Sequence, residues 1–465
     1  MNDDERDRGR GPLPQKPSMA ALKTSPWERN VALTRMGVSA GARIAAHEFA
    51  NLFRGKDSRG ASDRTFYAEQ ARKLADELGR LKGSVMKVGQ MLSLYGQYFL
   101  PPEAVEVLAG LQDDTPPVDW KSLEPVIKRG LGRSLSQLEI DPVPLASASL
   151  GQVHRARRKS DGYELVLKVQ YPGVADAIES DIRTLSRLIA MTRIAPKGLN
   201  LEPVYLEVRE MLHREVDYAA EIEHTRRFGE LLKDDRRYVV PAVLQEYSSD
   251  QVLALSYEPG TSARDPAIRA VPAAQRNALA QAALELFLRE LFDWGMVQTD
   301  PHFGNYKIRI PKKGDSPLFQ DDEKGDSPQI VLLDFGATRL FGHGFIESYR
   351  EMLRGARARD REATLRGAAG IGVMPADFPA PVREAFVELC ELIVEPFRGD
   401  YDWGRSDLPR RVGEKIARNT MTRFMRIPPR EIVFLHRRLA GVFFLIAALG
   451  AKGDFGPILE SHVGK

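Results

Sequence analysis

The spacing of apolar residues changes several times along the chain, and these changes predict the order of its helices and strands. Between about residues 30 and 110, apolar positions recur every three or four residues among frequent Ala, Leu and Glu, which predicts helices. Strands are predicted at 145–157 and 163–170, because the polar tetrapeptide KSDG between them is typical of a hairpin turn. Helical spacing returns at 174–193 and 202–232.

The second half of the chain is predicted to be mainly helical. A strand at 252–257 is followed by Pro-Gly, and short strands interrupt the helices near 305–310 and 330–333. The pentapeptide KGDSP occurs twice between 313 and 328, which we interpret as a flexible surface insertion in a hairpin. The longest apolar run, 439–451, is shorter than the roughly 20 residues that span a bilayer. We interpret it as a buried core helix, with a membrane-touching helix as the alternative.

These patterns divide the chain into four predicted segments. Residues 1–25 are polar, contain three prolines and are predicted to form a disordered tail. A helical extension, 26–115, ends in the helix-breaking cluster DDTPP. The rest is divided into a segment of mixed helices and strands, 116–258, and a mainly helical segment, 259–465.

Composition and charge narrow the function classes. With 43% hydrophobic and 28% charged residues, the 465-residue chain is neither fibrous nor disordered throughout. A single cysteine, Cys390, excludes a disulfide scaffold and a Cys-based zinc site, and it fits a reducing compartment. The formal charge of +3 gives no reason to expect a nucleic-acid partner. The first residues, MNDDERDRGRG, are typical of neither a secretory signal nor a transit peptide. We therefore predict a cytoplasmic location, with peripheral contact at the inner face of the membrane left open.

Four short motifs follow one another in the order of a phosphoryl-transfer site. The first, ASASLGQV at 146–153, takes the place of a glycine-rich phosphate loop but has alanine at the first two glycine positions. Because alanine resists positive φ, we expect a stiffer loop and an altered phosphate cradle. The nucleotide-binding residues predicted here are Ala146, Ser147, Ala148, Ser149, Gly151 and Val153.

The second motif is a lysine at the end of an apolar strand. Lys168 ends LVLK, fifteen residues after Val153, where a lysine can neutralise α- and β-phosphate charge if a carboxylate holds it. The predicted carboxylate is Glu221, which would also belong to the nucleotide site. Asp217, four residues earlier, is expected to share its helix face, and Glu215 is expected to point elsewhere and to have its own partner.

The third and fourth motifs supply acidic groups. In QTDPHFGN, Asp300 would receive a hydroxyl proton or orient a nucleophile, and Asn305 would bind a metal ion. Gln-Thr replaces the usual His-Arg before this aspartate, so no receptor for an activation-loop phosphate is apparent. In VLLDFG, an apolar strand delivers Asp334 to a glycine-hinged turn that can hold Mg²⁺. Any one of these four motifs, found by itself in a protein, more often has a structural role than a catalytic one. Their order predicts a kinase-like core that binds ATP or ADP with Mg²⁺.

Two further features refine this prediction. Tyr257 and Glu258 follow a predicted strand and are expected to lie near the adenine hinge. No A-P-E element follows the D-F-G motif, and 53 residues separate Lys168 from Glu221, which leaves room for additional helices. Both observations argue against an ordinary protein kinase.

A helix upstream of these motifs completes the pattern. It contains K-x-G-Q, formed by Lys87 and Gln90, and two glycines that each cost about 1 kcal/mol in a helix interior, which suggests close packing. Together with the alanine-bearing loop, the E-x-D at 215–217, QTDPxxxN and LLDFGATR, this motif makes the chain closely resemble the UbiB/AarF family of atypical kinases associated with coenzyme Q.

The resemblance implies an α+β, atypical protein-kinase-like fold of two lobes, with an N-terminal helical extension over the active site. Residues 116–258 would then be the N-lobe with inserted helices, and 259–465 the C-lobe. Lys87 and Gln90 would face the nucleotide site where a peptide would otherwise enter, and Glu215 would pair with Lys87 or order the metal region. The residues predicted to be regulatory are Lys87, Gln90, Glu215 and Asp217, and those predicted to be catalytic are Asp300, Lys168 and Lys87.

The leading hypothesis is an ATP-dependent atypical kinase or ATPase that acts on a lipid or remodels access to a lipid-pathway protein complex. The resemblance adds ubiquinone or related isoprenoid-lipid metabolism, with lipid- or isoprenoid-pathway proteins as expected partners. Two alternatives stay open. The same residues could form a nucleotide-regulated binding module with negligible turnover, which the altered loop allows. A small-molecule kinase would also lack A-P-E, although K-x-G-Q disfavours it. The oligomeric state is not predicted.

Overall fold

The computed structural model describes Val105 and residues 117–148, 150–192, 201–310, 328–418 and 428–464. The predicted disordered tail and nearly all of the helical extension, including Lys87 and Gln90, lie outside the described residues. So do Ser149 of the predicted phosphate loop and both copies of KGDSP apart from the final residue of the second copy.

Helices and strands are mixed along the described chain, which gives the predicted α+β class. The helices are α1 (Trp120–Leu131), α2 (Val174–Thr192), α3 (Glu202–Glu215), α4 (Tyr218–Leu232), α5 (Pro266–Arg269), α6 (Ala273–Leu288), α7 (His343–Ala358), α8 (Arg361–Gly370), α9 (Ala380–Ile393), α10 (Leu408–Arg418), α11 (Arg430–Leu449) and α12 (Gly456–Val463). The strands are β1 (Leu138–Ser147), β2 (Gly151–Arg158), β3 (Glu164–Gln170), β4 (Tyr238–Val239), β5 (Val252–Ser256), β6 (Thr261–Ser262), β7 (Met296–Gln298), β8 (Tyr306–Arg309), β9 (Gln329–Leu332), β10 (Thr338–Leu340), β11 (Tyr401–Asp402) and β12 (Lys452–Gly453).

The first lobe is built on an antiparallel sheet with the order β1-β2-β3-β5. The prediction of one strand at 145–157 is wrong, because the chain turns between Ser147 and Gly151 and forms the β1–β2 hairpin. In this turn the N–H of Ala148 donates to the Gly151 carbonyl oxygen at 2.9 Å. The KSDG turn between β2 and β3 is as predicted, with positive φ at Gly162.

The two faces of this sheet have different roles. Alternate residues of β2, among them His154 and Ala156, are buried in the N-lobe core. Val153 lies on the other face and is directly opposite Lys168 of β3, which in turn is opposite Leu253 of β5. Side chains opposite each other on neighbouring strands share a face, so Lys168 points to the side away from that core.

The helix predicted at 202–232 is two helices. α3 ends at Glu215, and the Asp217 carboxylate caps the start of α4 by accepting the Ala220 N–H at 2.9 Å. Asp217 is exposed and precedes the first helical residue. The expectation that it shares a helix face with Glu221 is therefore wrong, because capping requires a non-helical backbone at that position.

Two small sheets lie outside the β1-β2-β3-β5 sheet. One has the order β4-β9-β8-β6, and its antiparallel β8–β9 hairpin flanks the KGDSP insertion, as predicted. The other pairs β7 with β10, which places Gln298 opposite Thr338. The sequence did not indicate β7 and β10, because each has only three residues.

Helix α11 connects the cores of the two lobes. Val433 and Phe434 pack into the N-lobe core, whereas Leu445 and Ile446 belong to the C-lobe core. Within the described residues α11 is the one helix whose length and composition would suffice to cross a bilayer, with a mean hydropathy of 1.9 in its most apolar window. Half of that window is buried inside the protein. The length argument from the sequence was wrong, because the helix begins at Arg430.

His154 makes the stability of the N-lobe sensitive to acid. Its Nδ1 lies 2.8 Å from the Asp141 carbonyl oxygen and its Nε2 lies 3.3 Å from the Gln152 amide nitrogen, so the neutral ring can donate at one nitrogen and accept at the other. Burial lowers the pKa of His154, although Asp141 opposes the shift. The unfolded chain, with a histidine pKa of about 6.5, therefore binds the proton first as the pH falls.

We predict that the free energy of unfolding decreases as the pH falls from about 6.5 towards the lowered pKa of His154. His154→Gln keeps a donor for Asp141 but does not titrate, so it should lose less stability across this range. Urea denaturation at several pH values measures the difference. Parallel pH profiles for the two proteins would contradict the prediction.

Candidate active site

The Lys168 ammonium group joins two carboxylates. Its Nζ donates to Oε1 and Oε2 of Glu221 at 2.8 and 2.9 Å, and to Oδ2 of Asp334 at 3.1 Å. The Glu221 side chain is 2% exposed, whereas that of Asp334 is 33% exposed. Burial opposes the charge on Lys168, but Asp334 and Glu221 outweigh it and raise the pKa of the lysine well above its ordinary value. The lysine is therefore charged at neutral pH.

The position of Glu221 follows from how α4 packs. Tyr218 and Ile222 of this helix form a small apolar cluster with Leu253 and Leu255 of β5, on the face of the sheet that carries Lys168. The Tyr218 ring centroid lies 5.4 Å from the Lys168 Nζ. Because Glu221 lies between these two anchoring residues in sequence, the same packing holds its carboxylate against the lysine.

The predicted catalytic loop, the segment QTDPHFGN at 298–305, is tied to the D-F-G turn by the two residues that replace His-Arg. Gln298 accepts the N–H of Asp300 at 3.1 Å and donates its amide to the Asp334 carbonyl oxygen at 3.2 Å. The Thr299 hydroxyl donates to the Ala337 carbonyl oxygen at 2.7 Å. Both side chains are buried. They therefore fix the relative positions of the Asp300 and Asp334 segments.

Asp300 has a cationic partner that the sequence did not reveal. Arg437 of α11 donates to Oδ1 of Asp300 at 2.8 Å, from 137 residues further along the chain. The Asn305 amide lies 3.3 Å from Oδ2 of the same carboxylate. The basic cluster HRR before the apolar run was the only signal in the sequence, and it did not indicate which acid it would meet.

The residues predicted to hold a metal ion offer suitable donor atoms. The Asp334 carboxylate and the side-chain carbonyl of Asn305 provide oxygen ligands, which Mg²⁺ prefers. Their segments are neighbours, because the Leu333 N–H donates to the Asn305 carbonyl oxygen at 3.0 Å. The described residues contain no cluster of three or more His, Cys, Asp or Glu suited to a metal ion. One carboxylate and one amide oxygen fit Mg²⁺, which usually takes one or two protein carboxylates and completes its shell with phosphate and water oxygens.

The predicted phosphate loop is a tight hairpin turn. Ala146 and Ser147 lie in β1, where they pair with Val153 and Gln152. Gly151 has a structural reason to be glycine, because a Cβ there would lie 2.4 Å from the Val169 carbonyl oxygen of β3. The N–H of Ala148 is bonded within the turn, which fits the expectation of a stiffened loop, although that expectation stays a prediction.

The predicted hinge residues lie directly after β5. The Arg155 guanidinium lies 4.1 Å from the centroid of the Tyr257 ring. Glu258 accepts a hydrogen bond from Ser256 at 2.8 Å and forms an ion pair with Arg309 of β8. These contacts place Tyr257 and Glu258 between the N-lobe sheet and the β8–β9 hairpin, and their role at an adenine hinge stays a prediction.

A small, narrow cleft borders Asp300 on the side of α3 and α11. Glu215, the last residue of α3, lines it, so the structure brings Glu215 close to the catalytic loop. Arg339 also lines it, forms a buried ion pair with Glu207 of α3, and stacks 3.5 Å from the centroid of the Phe434 ring. The full lining is Met211, Arg214, Glu215, Thr299, Asp300, Gly336, Ala337, Arg339, Phe434 and Arg437.

Comparison with known proteins identifies the family. Residues 110–367 match the family model of the ABC1 atypical kinase-like domain. The chain belongs to this family. The predicted family and kinase-like fold are thereby confirmed. The chain is also similar to the mitochondrial atypical kinases COQ8 of Schizosaccharomyces pombe and Saccharomyces cerevisiae, with 34% identity over 385 residues and 32% over 388 residues.

Each yeast alignment covers 82% of this chain, but it covers 60% of the fission yeast protein and 73% of the budding yeast protein. The chain thus spans less than two thirds of the fission yeast relative. Among solved structures, a complex of Mycobacterium tuberculosis Rv3197 with erythromycin is similar, with a TM-score of 0.59 and 26% identity. That alignment covers 88% of this chain and 98% of the other. The names of the yeast relatives place those proteins in mitochondria, and the location of this chain stays a prediction.

We predict that Arg437→Ala lowers the rate of ATP turnover without weakening nucleotide binding, because Arg437 contacts Asp300 and not the Lys168 cluster. Loss of a hydrogen bond to a charged group costs about 1.5–3 kcal/mol, which corresponds to a roughly 10- to 150-fold lower rate. Arg437→Lys should retain part of the rate. Arg405→Ala is the control, because that side chain is 86% exposed. Comparable rates for Arg437→Ala and Arg405→Ala would refute the assignment.

Proposed function

We propose that this ABC1-family chain is an ATP-dependent atypical kinase or ATPase. The observation that carries the proposal is the contact of one lysine, Lys168, with both the helix carboxylate Glu221 and the D-F-G carboxylate Asp334. Active protein kinases need this lysine–glutamate pair and this aspartate in place together. The family assignment supports the same conclusion.

The residues have separable roles in this proposal. Lys168 binds the α- and β-phosphates, while Asp334 and Asn305 hold Mg²⁺. When bound, Mg²⁺ neutralises phosphate charge and orients the transferred group. Asp300 accepts the proton of the attacking hydroxyl or water, and Arg437 and Gln298 hold its carboxylate and backbone in position. Asn305, which also bonds to Asp300, links the metal position to the base.

We further propose that the acceptor belongs to ubiquinone or related isoprenoid-lipid metabolism, either as a lipid or as a protein of that pathway at a membrane surface. The resemblance to UbiB/AarF kinases and the similarity to proteins named COQ8 support this proposal. The described chain also lacks a long segment after Gly336 on which a peptide could dock, since β10 follows and α7 begins at His343.

One observation favours the second candidate, a nucleotide-regulated binding module with negligible turnover. The carboxylate oxygens of Asp300 both have polar partners, Arg437 and Asn305, and Asp334 is bonded to Lys168. When both carboxylates are already hydrogen-bonded within the protein, nucleotide binding could stabilise one conformation of the site rather than lead to phosphate transfer.

We predict that Asp334→Asn removes most Mg²⁺-dependent nucleotide binding, because it takes a charged oxygen ligand from the metal. Asp300→Asn should still bind nucleotide but lose turnover. Wild-type protein with MgADP at about 100 times its Kd should gain roughly 2.7 kcal/mol, or several degrees in Tm. Asp234→Asn, at an exposed position, is the matched control.

Thermal shift with and without Mg²⁺ measures binding, and phosphate release with and without anionic phospholipid vesicles measures turnover. Equal Tm gains for wild type and Asp334→Asn would contradict the nucleotide site. Wild-type turnover that never exceeds that of Asp300→Asn would favour the binding module.

A further inference from the structure

Helix α11 contacts the predicted catalytic loop at two points and the start of strand β8 at a third. Arg437 binds the Asp300 carboxylate at 2.8 Å, and the backbone of Gly441 lies against Pro301. Arg438 donates to the hydroxyl of Tyr306, the residue that follows the metal-binding asparagine. Arg437 and Gly441 are four residues apart and therefore lie on the same face of the helix. This face of α11 therefore contacts two consecutive residues of the predicted catalytic loop, Asp300 and Pro301.

The contact between Gly441 and Pro301 leaves no space for a side chain. A Cβ on Gly441 would lie 2.0 Å from the Pro301 Cβ, 3.0 Å from its Cγ and 3.3 Å from its Cα. A proline ring cannot turn away as a flexible side chain can, because the ring fixes φ. Glycine in the interior of this 20-residue helix costs about 1 kcal/mol relative to alanine, so close approach is the physical reason for its presence.

Helix α11 is itself fixed, so an added methyl group would displace the loop rather than the helix. Arg438 forms an ion pair with Glu290 at 3.1 Å, and both side chains are buried. On one side Phe434 packs into the N-lobe core, and on the other Ile446 packs into the C-lobe core. Moving α11 would disturb both cores, whereas Pro301 is only partly buried.

We infer that Gly441 is a positioning residue for the proposed phosphoryl-transfer reaction. It touches no substrate or metal and acts through Pro301, which it allows to lie close enough to α11 for Asp300 to meet Arg437. This inference rests on the proposed function of Asp300. A methyl group at position 441 would push Pro301 outward and separate Asp300 from Arg437.

The test compares Gly441→Ala with Ala440→Leu, which adds bulk at the neighbouring exposed position of the same helix. Gly441→Ala should lower kcat at least about tenfold, since a misplacement of about 1 Å can cost 10²-fold. The Kd for MgADP should stay unchanged, because Lys168, Glu221 and Asp334 lie on β3, α4 and the turn after β9. Ala440→Leu should change neither quantity.

A merely structural glycine would give a different result. If Gly441→Ala raises Tm, as helix propensity alone predicts, and leaves kcat unchanged, the inference is overturned. If that variant does not fold, Pro301→Ala provides the second test, because it removes the ring that rests on Gly441. It should lower kcat and leave the Kd for MgADP unchanged, and an unchanged kcat would overturn the inference.

Failure of the proposed function can be told apart from failure of this inference. If wild-type protein shows no turnover, a crystal structure of Gly441→Ala still tests the geometry. We expect the distance from Arg437 to the Asp300 carboxylate to increase beyond hydrogen-bond length, while the Lys168–Glu221 contact is retained. An unchanged Arg437–Asp300 distance would overturn the inference whatever the function of the protein.

Discussion

The site depends on the contact of one buried ammonium group with carboxylates from two parts of the chain. Lys168 would be costly to bury alone, and Glu221, which is almost fully buried beside it, makes the charge tolerable. Asp334 is the more exposed partner and therefore the one that can turn towards a metal ion. The contact joins the N-lobe sheet, helix α4 and the D-F-G turn, so it holds these charged groups in place before any ligand binds.

Helix α11 provides the second constraint. It contributes apolar side chains to both cores, and its Arg437 donates to the Asp300 carboxylate. Gln298 and Thr299, which replace His-Arg in the sequence, instead bond the loop to the D-F-G turn. Two buried polar side chains and an arginine from a distant helix therefore hold the segment around Asp300 in position.

Those parts of the site that are formed by residues close together in the sequence were predictable from the sequence. The strand ending in Lys168 and the strand leading to Asp334 both carry continuous local signals, and their order predicted the kinase-like core. Arg437 and Gly441 could not be predicted, because their roles depend on contacts with residues about 140 positions away. Asp217 was misplaced because continuous helical spacing hid the break that its capping side chain creates. The strand predicted at 145–157 ran through the turn after Ser147, which the phosphate-loop motif covers, because small residues fit a strand as well as a turn.

A crystal structure with Mg²⁺ and a non-hydrolysable ATP analogue tests the central claim most directly. The account predicts that the Lys168 Nζ contacts a phosphate oxygen while it keeps its bond to Glu221. It also predicts that carboxylate and amide oxygens of Asp334 and Asn305 ligate the metal ion. A nucleotide bound outside the cleft between the lobes, or a Lys168 side chain that makes no phosphate contact, would contradict it.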